Sequence, residues 1–490
     1  MSRLTTLFTG LSLALLSAST EVRRAGNNYA ATCQEIAATV SSASKVYYAG
    51  SPQYTKDNEH WTVSSSQVSA CSFEPATPQD VGIALQILAK DQTPFAVRGG
   101  GHSTMPGFSS TPGVQIAMYS FSEVTYDPSA QTATIGTGLV WDDVYTQLEQ
   151  LNVTVVGGKS TGVGVAGVIL GGGYSYFSNQ YGLAVDNVVS LELVMPNGTI
   201  TTVTSASDPD LFFGLRGGFN NFGIVTTVTL KAYPLSAVWG GRITYAESEW
   251  DAVNTAIANF VTNGDPKACI HSTRDYLAGT AVISIILFYD APQYANGVYD
   301  ELLSIPYLED DLASRSYSDL ILTLPTNTTA GYRGVFHWVA LDQFTVPILE
   351  MLNNQSTYYG KAVTELSGKF VSYEGIPFLT SVYDHAETET AFPSLRDSSQ
   401  GSSFINVFYG WTDPKDDDTM LQIGAESVAY MKQFIVDAGQ GVGNALLYPN
   451  CAPPETPMVD MYGDALQRLQ SIKFSVDPTN VMNLTGGWRF

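Results

Sequence analysis

The glycine-rich stretch 157-GGKSTGVGVAGVILGGG-173 decides the fold, because eight of its 17 residues are glycine. Residues 162–167 within it match the pattern G-x-G-x-x-G, and Asp186 follows 19 residues later. A Rossmann dinucleotide site needs a strand that runs straight into the first glycine and a helix that opens after the motif. Here the polar residues 159–161 precede the motif, and the triple glycine 171–173 would break the helix. We therefore expect a long backbone cradle around an extended cofactor.

Two further glycine loops flank this stretch in the sequence. Residues 98–103 read RGGGHS. Three successive glycines let several backbone N–H groups point at one anion, such as a pyrophosphate. His102 follows them directly, so we expect its ring beside whatever the loop binds. The third loop, residues 215–226, leads into a strand at Ile224 and Val225. The edge of such a strand is suited to hydrogen-bonding a flat heterocycle through its backbone.

The composition excludes two functional classes. The chain has 490 residues, 44% of them hydrophobic, and a formal net charge of −23 at pH 7. A chain of this length is expected to form two or three folding units of roughly 100–200 residues each. Nucleic-acid binding needs a basic patch, and the sequence has no cluster of Lys and Arg to provide one. No segment after residue 19 has about 18 uninterrupted apolar residues, so we predict no membrane contact.

The N-terminus predicts a secreted, extracellular protein. Residues 1–19 combine a basic residue, a short apolar run and a final group of small residues, which is the pattern of a cleaved signal peptide. Five N-x-S/T sequons support glycosylation outside the cell. They begin at Asn152, Asn197, Asn327, Asn354 and Asn483.

Four cysteines follow the signal peptide. In an oxidising compartment cysteines usually pair. We predict a disulfide between Cys33 and Cys71, which flank a Ser- and Tyr-rich stretch. Cys269 and Cys451 are left, either paired with each other or free, and their spacing does not decide between these alternatives.

The hydrophobic pattern predicts a mixture of strands and helices. The predicted strands are 95–98, 113–118, 131–136, 153–156, 188–195, 199–204, 223–232 and 282–288. The predicted helices are 34–46, 78–90, 141–151, 249–262, 426–438 and 462–473. The turn Pro196-Asn197-Gly198 predicts a hairpin between two of these strands.

Five motifs occur in the order seen in the berberine bridge enzyme-like family of FAD-linked oxidases, which belongs to the vanillyl-alcohol oxidase and p-cresol methylhydroxylase superfamily. They are RGGGH at 98–102, IGTGLVWDDVY at 135–145, GVGVAGVILGGGYSYFSNQYGLAVDNV at 162–188, DPDLFFGLRGG at 208–218 and NNFGIVT at 220–226. The tail at 461–482 is also similar to the family's C-terminal signature. The sequence closely resembles fungal secreted members over 32–235 and 445–490.

The resemblance implies an α+β fold of two domains. Residues 32–235 would form the FAD-binding domain of the p-cresol methylhydroxylase type. Residues 236–444 would form a substrate domain built on an antiparallel sheet, and 445–490 would return to the FAD domain. The resemblance implies no metal site, and the sequence does not indicate an oligomeric state.

The resemblance also implies how FAD is held. His102 would bond covalently to the 8α-methyl carbon of the flavin, since an imidazole nitrogen is a good nucleophile. Ser160 occupies the position at which many members carry a second, cysteine link, so a single link is expected. Val163 occupies the position at which a small residue admits O2 beside the flavin, which favours an oxidase. The other predicted cofactor-binding residues are Arg98, Gly99, Gly100, Gly101, Ser103, Gly167, Gly172, Ile224 and Val225.

The motif that carries the catalytic base in many family members, Tyr-x-Asn-Tyr, ends in a cysteine here. It reads Tyr448-Pro449-Asn450-Cys451. Three accounts stay open. Tyr448, or another aromatic residue such as Tyr409, accepts the substrate's proton. Alternatively, Cys451 acts as a thiolate, although an apolar site would raise its pKa. Finally, Cys451 is bonded to Cys269 and is structural.

These observations predict an FAD-dependent oxidase that transfers hydride from a C–OH or C–N bond to covalently bound FAD, with O2 as acceptor. The small-molecule substrate would be a sugar or a natural-product alcohol. A flavin dehydrogenase or an oxidative cyclase of the same fold in secondary metabolism is the alternative, motivated by Cys451. A binding protein with vestigial flavin is a third hypothesis, against which the intact His102 loop argues.

Overall fold

The computed structural model describes residues 29–260, 264–324 and 326–490. The predicted signal peptide, residues 1–19, lies outside them. Within the described residues the strands form three sheets, and helices cover parts of them. The fold is α+β, as predicted. None of the helices in this described part of the chain has the length and apolar character that a membrane span requires.

The first sheet is mixed and has the strand order β1-β2-β4-β3. Its strands are β1 (Lys45–Tyr47), β2 (Cys71–Glu74), β3 (Phe95–Arg98) and β4 (Val114–Ala117). The pairs β2–β4 and β3–β4 are parallel, while β1–β2 is antiparallel. Because β3 ends at Arg98, the loop that carries His102 leaves from the carboxyl end of a parallel strand.

The second sheet is antiparallel and has the order β5-β6-β10-β8-β9, with β7 also paired to β10. Its strands are β5 (Val124–Asp127), β6 (Thr132–Gly136), β7 (Val153–Val155), β8 (Val188–Val194), β9 (Ile200–Val203) and β10 (Ile224–Pro234). The predicted hairpin joins β8 to β9, and the N–H of Met195 donates to the carbonyl of Thr199 across it at 2.8 Å. Since β7 pairs antiparallel with β10, the motif at 162–167 does not follow a Rossmann unit.

The third sheet is antiparallel and has the order β14-β11-β13-β12-β17-β18-β16, with β15 also paired to β11. Its strands are β11 (Val238–Tyr245), β12 (Ala268–Leu277), β13 (Thr280–Tyr289), β14 (Glu309–Asp310), β15 (Ala313–Arg315), β16 (Arg333–Leu341), β17 (Gly368–Ile376) and β18 (Ser403–Trp411). The division into 32–235, 236–444 and 445–490 stays a prediction. The chain passes from the second sheet to the third between Pro234 and Val238.

The α-helices connect and cover these sheets. They are α1 (Ala30–Thr39), α2 (Pro52–Asn58), α3 (Pro78–Asp91), α4 (Trp141–Glu149), α5 (Val165–Gly171), α6 (Ser178–Tyr181), α7 (Pro209–Leu215), α8 (Trp250–Phe260), α9 (Asp300–Ser304), α10 (Tyr317–Ile321), α11 (Val346–Thr364), α12 (Asp417–Asp437), α13 (Met458–Tyr462) and α14 (Ala465–Val476). Short 3-10 turns include Ala184–Asn187, Phe219–Asn221 and Val481–Leu484.

Two predicted helices differ from the structure by more than five residues at one end. Helix α1 ends at Thr39 rather than continuing to residue 46, because Asp80 accepts hydrogen bonds from both the N–H and the hydroxyl of Ser41. Helix α12 begins at Asp417, nine residues before the predicted start at 426. Its N-terminal half contains Gly424, where a Cβ would lie 2.6 Å from Nε2 of His337. The glycine therefore permits close packing of the helix on β16.

Strand alternation gives the third sheet two different faces. Successive side chains point to opposite sides of a strand. On β18, Ile405, Val407 and Tyr409 pack with the apolar core beneath α11 and α12. Phe404 and Asn406 point to the other side, toward the first two sheets. This second face, which we call the cavity face, positions the candidate site.

The C-terminal tail contacts the first two-thirds of the chain. The indole N–H of Trp488 donates to the carbonyl of Pro449, and the carbonyl of Trp488 accepts from the amide of Asn221. Arg468 on α14 pairs with Asp210 on α7 at 2.7 Å. The bond from Asn221 and the ion pair with Asp210 tie the C-terminal tail to the loop at 215–226 and to α7.

The predicted disulfide between Cys33 and Cys71 is confirmed, and both cysteines are fully buried. It joins α1 to β2 across a separation of 38 residues. In the chain-entropy account a closed loop of that size stabilises the folded state by about 4 kcal/mol.

Replacing both partners, Cys33→Ser with Cys71→Ser, should therefore lower the free energy of unfolding by about 2–5 kcal/mol. Urea unfolding followed by tryptophan fluorescence measures this change. Cys269→Ser is the control, because it alters a buried cysteine that forms no disulfide. If the double variant unfolds at the wild-type urea concentration, the disulfide does not stabilise the fold.

Candidate active site

One cavity of about 280 Å³ lies between the glycine loops and the cavity face of the third sheet. Its walls come from the loop 99–103, the stretch 158–168, the strand start at Ile224 and Val225, and the segment 448–451. The sheet contributes Phe336, Trp338, Glu374, Phe404 and Asn406. The three loops that the sequence singled out are thus brought together in one place.

The loops at 98–103 and 157–173 touch through their backbones. A Cβ on Gly100 would lie 2.4 Å from the N of Gly164, and a Cβ on Gly164 would lie 2.3 Å from the N of Gly100. Real Cβ atoms do not approach other atoms so closely, so both positions require glycine. The N–H of Gly162 donates to the carboxylate of Asp142 at 2.7 Å, which fixes the second loop to the first turn of α4.

His102 lies in the cavity wall with its ring stacked on Trp61, at 4.2 Å between ring centroids. Its Nε2 is buried and has no hydrogen-bond partner among the described residues. Burial lowers the pKa of His102 to about 4, so the imidazole is neutral at pH 7. A neutral ring with an unpartnered nitrogen keeps the lone pair that a covalent bond to a cofactor requires.

Ten of the predicted cofactor-binding residues line the cavity: Gly99, Gly100, Gly101, His102, Ser103, Ser160, Val163, Gly167, Ile224 and Val225. Two do not. The guanidinium of Arg98 points away and donates to the carbonyl of Glu59, next to the hydroxyl of Tyr119. Gly172 packs behind Phe392 and Tyr448 with a φ of +124°, so it is required for the turn rather than for contact with a ligand.

Tyr448 and Asn450 both line the cavity and contact each other. The Tyr448 hydroxyl accepts a hydrogen bond from the Asn450 amide at 2.8 Å and one from the N–H of Gly173 at 3.2 Å. Burial raises the pKa of Tyr448 well above its ordinary value, despite these two donors. The phenol is therefore protonated at pH 7, which does not suit a base.

Tyr409 is excluded as the base by its position. It lies on the helix-facing side of β18, where its hydroxyl bonds that of Tyr373 at 2.6 Å. Strand alternation therefore places Tyr409 on the side of β18 that does not line the cavity. Asn406, three residues earlier, is the polar residue of β18 that lines the cavity.

Of the two alternatives that the sequence left open for Cys269 and Cys451, the structure shows the unpaired one, since both cysteines are free. Burial raises the pKa of each thiol to about 12, which also argues against a thiolate at Cys451. Cys451 nevertheless lines the cavity.

A polar cluster on the cavity face was missed in the sequence. Glu374 on β17 accepts hydrogen bonds from Nε2 of His271 at 3.2 Å and from the amide of Asn406 at 3.3 Å. Burial alone would raise the pKa of Glu374, but these hydrogen bonds and the charge of Lys159 outweigh it and lower the pKa to about 2. Burial lowers the pKa of His271 to about 4, so the neutral ring donates to an ionised Glu374.

The signal for Glu374 was a carboxylate inside an apolar strand, in the segment FVSYEGI at 370–376. A buried ionised group needs a partner or a function, so a carboxylate inside an apolar strand indicates a candidate functional residue. Lys159 lies in the glycine stretch 157–173, where the sequence indicates only that a polar segment precedes the G-x-G-x-x-G motif.

An aromatic wall closes the same end of the cavity. The rings of Trp338 and Phe404 stack with their centroids 3.8 Å apart, and Tyr174 packs 4.8 Å from Phe404. Tyr448 contacts Tyr174 edge to face, at 5.2 Å. This wall presents flat apolar surface next to Glu374 and Asn406.

Residues 69–204 match the FAD binding domain family. The chain is 30% identical over 427 residues to the FAD-dependent monooxygenase FUP4 of Fusarium proliferatum, covering 83% of this chain and 82% of that protein. It is 28% identical over 460 residues to the FAD-dependent monooxygenase drtC of Aspergillus calidoustus, covering 91% of this chain and 87% of the relative. The chain therefore belongs to the same family of FAD-dependent oxidoreductases as these fungal proteins.

Solved structures of other proteins share the fold of this chain. A berberine bridge enzyme variant in complex with (S)-reticuline superposes with a TM-score of 0.73 at 18% identity, covering 94% of this chain and 98% of that one. A carbohydrate oxidase from Microdochium nivale superposes with a TM-score of 0.73 at 20% identity, covering 92% and 97%. The predicted p-cresol methylhydroxylase-type FAD-binding fold is thereby confirmed, and the protein is an FAD-dependent oxidoreductase.

The residues of the cavity fit FAD on their own chemistry. Paired glycines give a backbone cradle that a Cβ would fill, and His102 supplies a buried nitrogen without a partner. Backbone N–H groups in glycine-rich turns suit the pyrophosphate. The cradle and His102 would hold the cofactor, which supplies a hydride acceptor.

The cradle generates a test with a matched pair of glycines. Gly164→Ala should lower the melting temperature and the flavin content together, because the new Cβ would overlap the backbone of Gly100. Gly441→Ala should melt like the wild type and keep its flavin, since no atom lies within 4 Å of its Cβ position and Gly441 does not line the cavity. Differential scanning fluorimetry and flavin absorbance measure both properties. A Gly164→Ala protein that melts like the wild type would refute the close approach of the loops.

Proposed function

We propose that this protein is a secreted oxidase that transfers hydride from a C–OH or C–N bond of a small molecule to FAD bonded covalently to His102, with O2 as the final acceptor. One observation supports this most: a single cavity joins the His102 cradle to Glu374 and the aromatic wall. Such a cavity lets one molecule meet the cofactor and a proton acceptor at the same time.

Glu374 is the proton acceptor in this proposal. Bound FAD would accept the hydride, and the hydroxyl or amine of the substrate must lose a proton as the hydride leaves. Glu374 is ionised, lines the cavity and is held in place by His271 and Asn406. Tyr448 and Asn450 instead form part of the cavity wall. The phenol of Tyr448 is protonated and already accepts two hydrogen bonds, one of them from Asn450.

The choice of O2 as acceptor rests on Val163, which lines the cavity in the position where the family admits oxygen. The relatives from Fusarium proliferatum and Aspergillus calidoustus are named monooxygenases, an activity that usually needs a second reductant such as a nicotinamide. The motif at 162–167 would bind a nicotinamide dinucleotide in a Rossmann unit, but here it forms part of the cradle. A dehydrogenase or oxidative cyclase of the same fold is the alternative, because Cys451 replaces a family tyrosine.

Secretion is supported by the disulfide and by the sequons. Disulfides persist mainly in oxidising compartments. The side chains of Asn152, Asn197, Asn354 and Asn483 are exposed, as glycosylation requires. The side chain of Asn327 lies outside the described structure.

The covalent link has a direct test in acid precipitation. Flavin should stay with the precipitated wild-type protein and should appear in the supernatant of His102→Ala, because the imidazole is the proposed point of attachment. Absorbance of both fractions measures the distribution. His60→Ala is the control, since His60 is a buried histidine that does not line the cavity. Flavin that stays in the His102→Ala pellet would show that another residue forms the bond.

The proton acceptor is tested by comparing Glu374→Gln with Tyr448→Phe. The first should slow anaerobic flavin reduction by about 10²–10⁴-fold, the usual contribution of a general base. The second should slow it by less than about tenfold, because only a hydroxyl that accepts two hydrogen bonds is lost. Stopped-flow absorbance measures both, with the sugar, alcohol or amine that reduces the wild-type flavin fastest.

The pH dependence follows from the same groups. A base acts above its own pKa, and the pKa of Glu374 is lowered to about 2. Its activity should therefore persist as the pH falls, and flavin reduction should show no acidic limb from Glu374 between about pH 5 and 8. If the rate of flavin reduction falls tenfold for each unit by which the pH is lowered in this range, the base is another group. The same conclusion follows if Tyr448→Phe reduces its flavin more slowly than Glu374→Gln.

A further inference from the structure

Tyr176 connects the glycine-rich part of the site to the third sheet. It lies between the triple glycine 171–173 and helix α6, and its side chain is fully buried. Its ring stacks on Phe288 of β13, with the two centroids 5.6 Å apart. Its hydroxyl lies 3.2 Å from Nδ1 of His271 on β12. A residue that follows the cofactor loop therefore reaches the polar cluster around Glu374.

The register of the sheet places His271 beside Glu374. Glu374 on β17 is opposite Thr273 on β12, and His271 lies two residues before Thr273. Residues two positions apart on a strand share a face, so His271 and Glu374 are diagonal neighbours on the cavity face. Nε2 of His271 lies 3.2 Å from Oε2 of Glu374. Each ring nitrogen of His271 thus has a partner, Tyr176 at Nδ1 and Glu374 at Nε2.

These two partners decide which ring nitrogen of His271 carries the proton. A neutral imidazole has one N–H and one lone pair, so one nitrogen donates and the other accepts. An ionised carboxylate only accepts hydrogen bonds, so the N–H must be at Nε2, facing Glu374. Nδ1 then presents its lone pair, and the Tyr176 hydroxyl donates to it. The hydrogen bonds therefore run in one direction, from Tyr176 through His271 to Glu374.

Solvent does not supply the donor that Nδ1 needs, because His271 is fully buried. A buried acceptor that is left without a donor is costly, so the ring would turn away from Glu374 to find one. Tyr176 removes this need while the ring stays in place. Burial raises the pKa of Tyr176 well above its ordinary value, so the hydroxyl keeps the proton that it donates.

Other titratable groups surround these three residues and act on them only through their charge. In the described part of the chain, none of them forms a hydrogen bond with His271. They are His102, Lys159, Asp275 and Cys451 around Glu374, and Cys269 and Tyr317 around Tyr176. The orientation of the His271 ring therefore depends on Tyr176 and Glu374.

We propose that Tyr176 is a positioning residue for Glu374: its hydroxyl donates to Nδ1 of His271 and thereby holds the imidazole with its Nε2 proton directed at the carboxylate. Tyr176 does not line the cavity, so it acts on the reaction through His271. This inference rests on the proposed function, in which Glu374 accepts the proton of the substrate.

A double-mutant cycle separates positioning from a purely structural role. Tyr176→Phe should slow anaerobic flavin reduction about five- to tenfold, because the His271 ring loses the donor that holds it. In His271→Gln the side-chain amide can donate to Glu374 without a partner at Nδ1. Adding Tyr176→Phe to His271→Gln should therefore change the rate by less than about twofold. Equal slowing by Tyr176→Phe in both backgrounds would overturn the positioning role.

Tyr317→Phe is the matched control. It removes another fully buried tyrosine hydroxyl that packs against Phe288, at 5.8 Å between ring centroids, but is not bonded to His271. Its flavin should be reduced within about twofold of the wild-type rate.

Nitrogen NMR tests the position of the proton without turnover. The chain has five histidines, so labelling with [¹⁵N]histidine gives few signals, and His271→Gln identifies those of His271. In the flavin-loaded wild type at pH 7, Nε2 of His271 should be protonated. In Tyr176→Phe the Nδ1 signal should move toward that of a nitrogen that accepts no hydrogen bond, and in Tyr317→Phe it should not move. A wild-type His271 with its proton on Nδ1 would overturn the inference.

These results are separable from failure of the proposed function. A slow Glu374→Gln together with a Tyr176→Phe that reacts at the wild-type rate would overturn the positioning role and leave the proton acceptor standing. A Glu374→Gln that reduces its flavin as fast as the wild type would remove the proton acceptor, and with it the positioning role.

Discussion

The close approach of two glycine loops is the constraint on which the site depends. Gly100 and Gly164 touch backbone to backbone, and a methyl group on either would separate them. Their contact brings His102, near the end of one loop, into the same cavity wall as Val163 and Ser160 in the other. Trp141 and Asp142 at the start of α4 then hold the second loop from behind. A cradle made of backbone is suited to an extended cofactor, because it offers N–H groups and little steric bulk.

The third sheet completes the site by strand alternation. One face of β16, β17 and β18 packs on the helices α11 and α12, and the other bears the aromatic wall and the carboxylate of Glu374. The two sides of the cavity differ in what lines them, since the cradle presents mainly backbone atoms and the third sheet presents side chains. This division explains how related oxidoreductases with one cofactor can differ in substrate, because the sheet face can change while the cradle is kept.

The parts of the site that are local in sequence could be predicted, and the parts that depend on strand register could not. Three successive glycines before His102, and a glycine stretch interrupted by Ser160 and Val163, indicate a cofactor loop without knowledge of the fold. Whether Asn406 or Tyr409 lines the cavity depends on which face of β18 the helices cover. The two residues are three positions apart on the strand, so their side chains point to opposite faces. Glu374 stands out in the sequence as a carboxylate inside an apolar strand, but its role depends on His271, which lies 103 residues earlier in the chain. Arg98 and Gly172 sit in the right motifs, but their contacts are structural.

The fate of O2 tests the oxidase account most directly. The measurement supplies ¹⁸O2 to the enzyme with the compound that reduces its flavin fastest, and determines H2O2 and the isotope content of the product. The account predicts one H2O2 for each product molecule, no ¹⁸O in the product and no requirement for a nicotinamide. Incorporation of ¹⁸O would show a monooxygenase, as the relatives are named. Flavin that is reduced by substrate and reoxidised only slowly in air would show a dehydrogenase.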